Sequence, residues 1–225
     1  MHALDRPVWT SLTTYHAPRS EGGDLARRFI RDINLFGSAR DDSTEAAAAL
    51  AALVKPGEEI YVLQVPAIVT PPGLRLLQVA NGVQMVASEP APRATADDEV
   101  LTLSDADAPE MQALAKLTQP GPFAERTHTM GRFVGIRING RLAAMAGERM
   151  RMPGYTEVSG VCTHPDCRGR GLAARLSAVV AARIEARGER PFLHAWKENV
   201  AAISLYEKLG FRVRTEVNVA ILGRA

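Results

Sequence analysis

The chain has 225 residues, of which 46% are hydrophobic and 23% charged, with a net charge of +2. That composition excludes a wholly disordered or fibrous chain, and the length allows one large domain or two small ones. The 23 Arg and four Lys are scattered rather than gathered in a basic stripe, so no nucleic-acid partner is expected. The longest apolar run, Ala46 to Val54, is too short to cross a bilayer, and the N-terminal MHALDRPVWT carries no apolar signal core. The expectation is a cytoplasmic protein with no membrane partner.

Asp42 to Val54 reads as a helix capped by Asp42, with Glu45 in the first turn and an alanine run behind it; Lys55-Pro56-Gly57 stops it. Glu59 to Val65 and Leu74 to Val79 read as strands. Ala87 to Asp98, polar and broken by two prolines, reads as a linker. The domain expectation is therefore an N-terminal α/β subdomain over residues 1–95, without an assignable motif, and a second domain over 96–225. In the second, Asp107 to Thr118 predicts a helix with Leu114 and Leu117 inward. Arg132 to Ile138 and Leu142 to Met150 predict a hairpin turned at Asn139-Gly140. A strand follows from Tyr155 to Thr163, then a helix to about Arg187 whose apolar stripe is Leu172, Leu176, Val179, Val180 and Ile184. Phe192 to Trp196 is a strand, a short helix ends at Leu209 before Gly210, and Phe211 to Leu222 supplies the last strand or strand pair. The order α-β-β-β-α-β-α-β predicts an α/β (α+β) fold, a mixed central sheet with helices on both faces.

The sharpest local feature is the strand-to-helix junction Val161 to Ala173, VCTHPDCRGRGLA. Glycines 169 and 171 permit a close approach to the backbone, a helix N-terminus follows, and Arg168 and Arg170 add positive charge. Such a turn either binds phosphate through unpaired N–H groups or only connects two elements. It is neither a Walker loop nor a dinucleotide fingerprint, because no Gly-Lys-Ser/Thr is present and residue 174 is Ala. Cys162 and Cys167 read as two reduced thiols, and no residue cluster has metal-ligand spacing.

Arg168-Gly169-Arg170-Gly171-Leu172-Ala173 resembles the Arg/Gln-x-x-Gly-x-Gly/Ala acetyl-CoA pyrophosphate motif of the GNAT N-acetyltransferases. Asn199, Ala202, Leu205, Tyr206, Gly210 and Phe211 match the pattern that closes that fold, so the resemblance covers about residues 97–225. The PFLHAW strand resembles the glycine-N-acyltransferase-like branch. The resemblance implies acetyl-CoA as co-substrate and no metal. The backbone of Val161, Cys162 and Thr163 would pair with the pantetheine arm, residues 168–173 (Arg168, Gly169, Arg170, Gly171, Leu172 and Ala173) would hold the pyrophosphate, and Asn199 and Tyr206 would complete the cofactor site. Gly160 inside the strand points to a bulge or a close backbone approach; the resemblance implies that the strand bulges and splays from its neighbour, opening a slot for the thioester.

Transfer to an amine needs a proton acceptor, an oxyanion donor and an acid for the leaving thiolate. Glu157 stands where family members that use a glutamate on this strand have their base, acting directly or through water; a solvent-facing carboxylate at a strand end is the alternative. Glu148 on the preceding strand is the second candidate. Tyr206 is the family's usual acid, against a reading as a packing residue in the stripe Ala202, Leu205, Leu209. An N–H near Val161 is the oxyanion donor. His194 reads as a hydrogen-bonded core histidine that could touch substrate, His164 as solvated, His128 as a possible edge of the acceptor groove, and Trp9 and Trp196 as packing. The acceptor pocket is expected at the early helices and the loop Thr118 to Phe123. The functional expectation is acetyl transfer from acetyl-CoA to a primary amine of a small molecule or peptide, in a possible homodimer; the alternative is an acyl-CoA-binding sensor of the same fold without turnover.

Overall fold

The computed structural model describes residues 2–88 and 99–224. The chain opens with α1 (Pro7–Leu12), a three-stranded antiparallel sheet of β1 (Ser20–Gly22), β2 (Ala26–Phe29) and β3 (Gly37–Ala39), and α2 (Thr44–Ala52). The strands β4 (Glu59–Gln64) and β5 (Arg75–Ala87) follow. Then come β6 (Leu101–Thr102), α3 (Ala108–Thr118), β7 (Phe133–Ile138), β8 (Arg141–Met152), β9 (Tyr155–Thr163), α4 (Leu172–Glu185), β10 (Arg190–Trp196), α5 (Val200–Lys208) and β11 (Phe211–Gly223). The order of the main sheet is β4-β11-β5-β10-β9-β8-β7-β6, with β9 and β10 parallel and the other pairs antiparallel.

Alternation along the strands explains how helices cover both faces. On β8, Ala144 and Ala146 face a core with Leu176, Val180 and Ile184 of α4, while Met145 between them faces Met111 and Leu114 of α3. On β10, Leu193 joins the α4 core, while its neighbour Phe192 packs with Leu4, Val8 and Leu12 from the N-terminus. Full burial of each of these Leu, Val, Ile, Met and Phe side chains contributes about 1.5–3 kcal/mol. The Asn139-Gly140 hairpin forms as expected, with φ of 52° and 79°, the left-handed pair that a two-residue turn of this twist needs.

Several expectations need correction. The sheet runs across residue 95: β4 and β5 precede that boundary, yet they pair with β11, and β5 also with β10, beyond it. The boundary therefore divides chain segments but not sheets. Most of the expected linker, residues 89–98, lies outside the described residues, and Ala87 is the end of β5, which runs well past Val79. The cap of α2 is Ser43, whose hydroxyl accepts from the Ala46 N–H at 3.3 Å; Asp42 pairs with the buried Arg6 instead. Leu117 points outward at 54% exposure, because α3 turns only Met111, Leu114 and Ala115 onto the sheet. Trp196, at 42% exposure, lines a cleft rather than a core.

Candidate active site at the splay of two strands

The parallel pairing of β9 with β10 ends at Glu157–Phe192; beyond it β10 pairs only with β5. On its other side β9 bulges. From Met145↔Cys162 to Gly147↔Ser159, two steps on β8 match three on β9. Gly160 sits in this bulge at φ 62°, where a Cβ would come within 2.9 Å of the Phe133 ring. A side chain there would be strained and crowded, which is why the position is glycine. The expected bulge and the V-shaped slot are therefore both present.

A cleft of about 1420 Å³ fills the slot. That exceeds the roughly 300–1,000 Å³ of a single small-ligand pocket and leaves room for two reactants. Residues 161–163, 168–173, Asn199 and Tyr206 all line it, as does the loop Thr118 to Phe123. At its far end α4 begins on Gly171, in the left-handed conformation at φ 73°, with no side chain capping the helix. Gly169 is also left-handed at φ 76°, and a Cβ at either glycine would meet no atom within 4 Å. The turn is thus open, and Gly171, having no side chain, leaves the first N–H groups of α4 uncapped by it. With Arg168 and Arg170 beside them, they offer N–H donors and positive charge suited to an anionic group. Asn199 caps α5 through the Ala202 N–H at 3.1 Å, which fixes the cleft wall there.

A family model described as FR47-like protein matches residues 133–219. Among solved structures, a GNAT-family protein from Novosphingobium aromaticivorans superposes with a TM-score of 0.94 at 45% identity, over 100% of both chains. The chain belongs to the GNAT family. A GCN5-related N-acetyltransferase from Kribbella flavida shares the fold at 18% identity and TM-score 0.64, over 100% of this chain and 96% of that one. No curated protein matches the sequence.

In this GNAT protein the apex of the V is a closed polar cluster. Glu157 is fully buried and does not line the cleft. It accepts from Arg149 Nε at 2.8 Å and Nη2 at 2.7 Å, from the Met150 N–H at 3.3 Å, and from His194 Nδ1 at 2.7 Å. Those four donors fill the four lone-pair positions of a carboxylate. Burial alone would push its pKa up, but the Arg149 charge and the Arg149 and His194 hydrogen bonds outweigh it and hold the carboxyl down at about 2. The expected role of Glu157 as the base is therefore corrected on geometry: no lone pair faces the cleft, and proton affinity is far too low. A second bulge, on β8 between Glu148 and Arg151, turns Arg149 into this arrangement. Glu148, the second candidate, is buried in a bidentate pair with Arg187 at 2.9 Å to both oxygens and does not reach the cleft.

His194 lines the cleft and is hydrogen-bonded on both sides, as a core histidine would be. With Nδ1 donating to Glu157, its Nε2 accepts from Gln84 Nε2 at 3.0 Å. Gln84 is oriented by Arg214, which donates to Oε1 at 2.9 Å and pairs with Asp5. Tyr206 lies edge-on to Phe211 at 6.1 Å and lines the cleft; burial, with a smaller contribution from Cys162, pushes its phenol up to about 12. Burial likewise pushes the Cys162 thiol up to about 11, so it is no nucleophile. His164 accepts from the Asp166 N–H, and His128 pairs with Asp105 away from the cleft. Sequence reasoning missed Arg149 and the wall residues Phe36, Tyr61 and Leu63, which carry no local motif.

The Arg149 bulge is also braced by His16, whose Nε2 lies 2.9 Å from the Arg149 carbonyl and 3.2 Å from the Arg151 N–H. Burial, aided by Arg19, pushes His16 down to about 4 from 6.5. The folded state thus binds fewer protons than the unfolded one between those values, and stability falls as pH drops through that window, by about 3 kcal/mol in full. Urea unfolding at pH 7 and pH 5 should show about 2 kcal/mol of this loss, and His16→Gln should flatten it. An equal pH slope in both proteins would remove His16 from the account.

Proposed function

We propose that the protein is an acetyl-CoA-dependent N-acetyltransferase that moves an acetyl group to a primary amine by direct attack on the thioester. The observation that carries this reading is the continuity of three parts in one cleft: the open turn before α4, the bulged strand β9, and the slot between β9 and β10. The residues fit the co-substrate. The N–H groups at 168–173 would hold its diphosphate, the backbone of Val161, Cys162 and Thr163 its pantetheine arm, and Asn199 and Tyr206 would bound the slot. When bound, acetyl-CoA supplies the acyl group as a thioester.

The chain's own residues then have separate tasks. The N–H of Val161, in the stretch of β9 that the bulge takes out of register, donates to the thioester oxygen as charge develops. Tyr206 stays protonated at working pH and would give its phenol proton to the sulfur as the C–S bond breaks, regaining a proton from water in the cleft. Glu157 fixes Arg149 and His194 in the wall, and the amine's proton leaves through water in the cleft. The PFLHAW strand supports a place in the glycine-N-acyltransferase-like branch.

Thiol release from acetyl-CoA over a panel of primary amines tests the reading. In the variant Tyr206→Phe turnover should fall by about tenfold to a thousandfold, the usual scale of acid–base catalysis, while acetyl-CoA affinity by calorimetry stays the same. Full turnover in Tyr206→Phe would leave Tyr206 as a packing residue. Tight acetyl-CoA binding with no amine acetylated would favour a sensor.

A further inference from the structure

The cleft has a second region that the acetyl-CoA residues do not use. Phe36, Tyr61, Leu63, Ala80, Val217 and Val219 line it, from the segment before β3 and from β4, β5 and β11. All but Val217 belong to or pack against the core under α1, so this wall continues the face opposite α4 and α5. The slot between β9 and β10 therefore joins two faces of the sheet, with the diphosphate turn on one and an apolar wall on the other. Charge narrows the class further. Among the described residues, no Asp or Glu lines the cleft, while Lys116, Arg149, Arg168 and Arg170 do. The one carboxylate near the apex, Glu157, has all four acceptor positions filled and cannot receive a further ammonium.

Resting on the acetyltransferase reading, we infer that the acceptor is an apolar monoamine: one primary amine on an aliphatic or aromatic body, with no second cationic group. Phe36, Leu63, Val217 and Val219 are themselves buried and back this wall, so the body would lie against its half-buried members Tyr61 and Ala80 and exclude water from them. A second ammonium would find no carboxylate in the cleft to receive it: Arg149 is already balanced by Glu157, and Arg168 and Arg170 would face the diphosphate, so the ammonium would lose its water without gaining a partner.

The test compares hexylamine and phenethylamine with 1,6-diaminohexane and spermidine as acceptors, and measures their binding to the CoA-loaded protein by calorimetry. The monoamines should lead in kcat/KM by tenfold or more, and should bind where the polyamines do not. Gln78→Glu places a carboxylate on an exposed cleft position of β5, where the fold tolerates it; it should narrow the preference several-fold while leaving acetyl-CoA affinity unchanged. Equal or better use of the diamine by the unaltered protein would overturn the proposal, as would a preference unmoved by Gln78→Glu. Should no amine be acetylated, the acetyltransferase reading fails and binding still decides the ligand class: selective binding of monoamines upholds an apolar monoamine as the cleft's ligand, and equal binding of the diamine overturns it.

Discussion

Glu157→Gln should destabilise the protein by about 3–5 kcal/mol, because it leaves the Arg149 guanidinium buried beside a neutral partner. For a chain of this size that lowers Tm by roughly 6–20 °C. Arg149 is 8% exposed and Glu157 0%, so solvent cannot compensate. The sign of the pH effect is separate and specific. The Glu157 carboxyl is held at about 2, below its ordinary 4.5, so its contribution is present above about 4.5 and is lost as pH falls toward 2. The variant should therefore show a shallower acid limb in that window. Glu157→Gln combined with Arg149→Met should recover much of the lost stability, since an apolar replacement of a buried pair is often neutral. An unchanged Tm, with a turnover defect confined to pH below neutral, would return Glu157 to the role of proton acceptor.

Gly171→Asp should reduce acetyl-CoA affinity at least a hundredfold without unfolding the protein. A side chain at Gly171 meets no atom within 4 Å, and Asp is among the residues that tolerate a left-handed backbone. Its carboxylate would sit at the start of α4, accept from the N–H groups meant for the diphosphate, and repel that group. Folding and ligand binding should separate cleanly: near-native thermal unfolding with no heat of acetyl-CoA binding. Retained affinity would place the diphosphate elsewhere and detach the 168–173 turn from the site.

Much of this protein was legible in its residues because the signals are local. A helix N-terminus preceded by two glycines needs only adjacent positions, and so does the Asn139-Gly140 turn. The α4 stripe from Leu172 to Ile184 follows from a period of 3.6 residues. Gly160 announced its bulge because a lone glycine inside a strand seldom has another use. Local order also fixed the succession of elements from α3 to β11.

What remained hidden depends on which strands become neighbours. No feature of Arg75–Ala87 says that it enters the sheet between β10 and β11, and so the N-terminal half was read as a unit apart. That insertion brings Gln84 against His194, and the pairing of β4 with β11 carries Phe36, Tyr61 and Leu63 to the cleft. Glu157 is the clearest case. Its position on the strand suggested a base, but whether a carboxylate can act as one depends on the donors around it. Those donors come from β8 eight residues away in sequence and from β10 thirty-seven away. The β8 bulge turns one of them inward, and the parallel pairing at Phe192 brings up the other. Proton affinity is a property of the assembled environment, through burial, neighbouring charge and hydrogen bonds. The sequence by itself therefore determined where the open glycine turn and the slot would be, while only the tertiary structure decided which side chains face that slot and which are sealed from it.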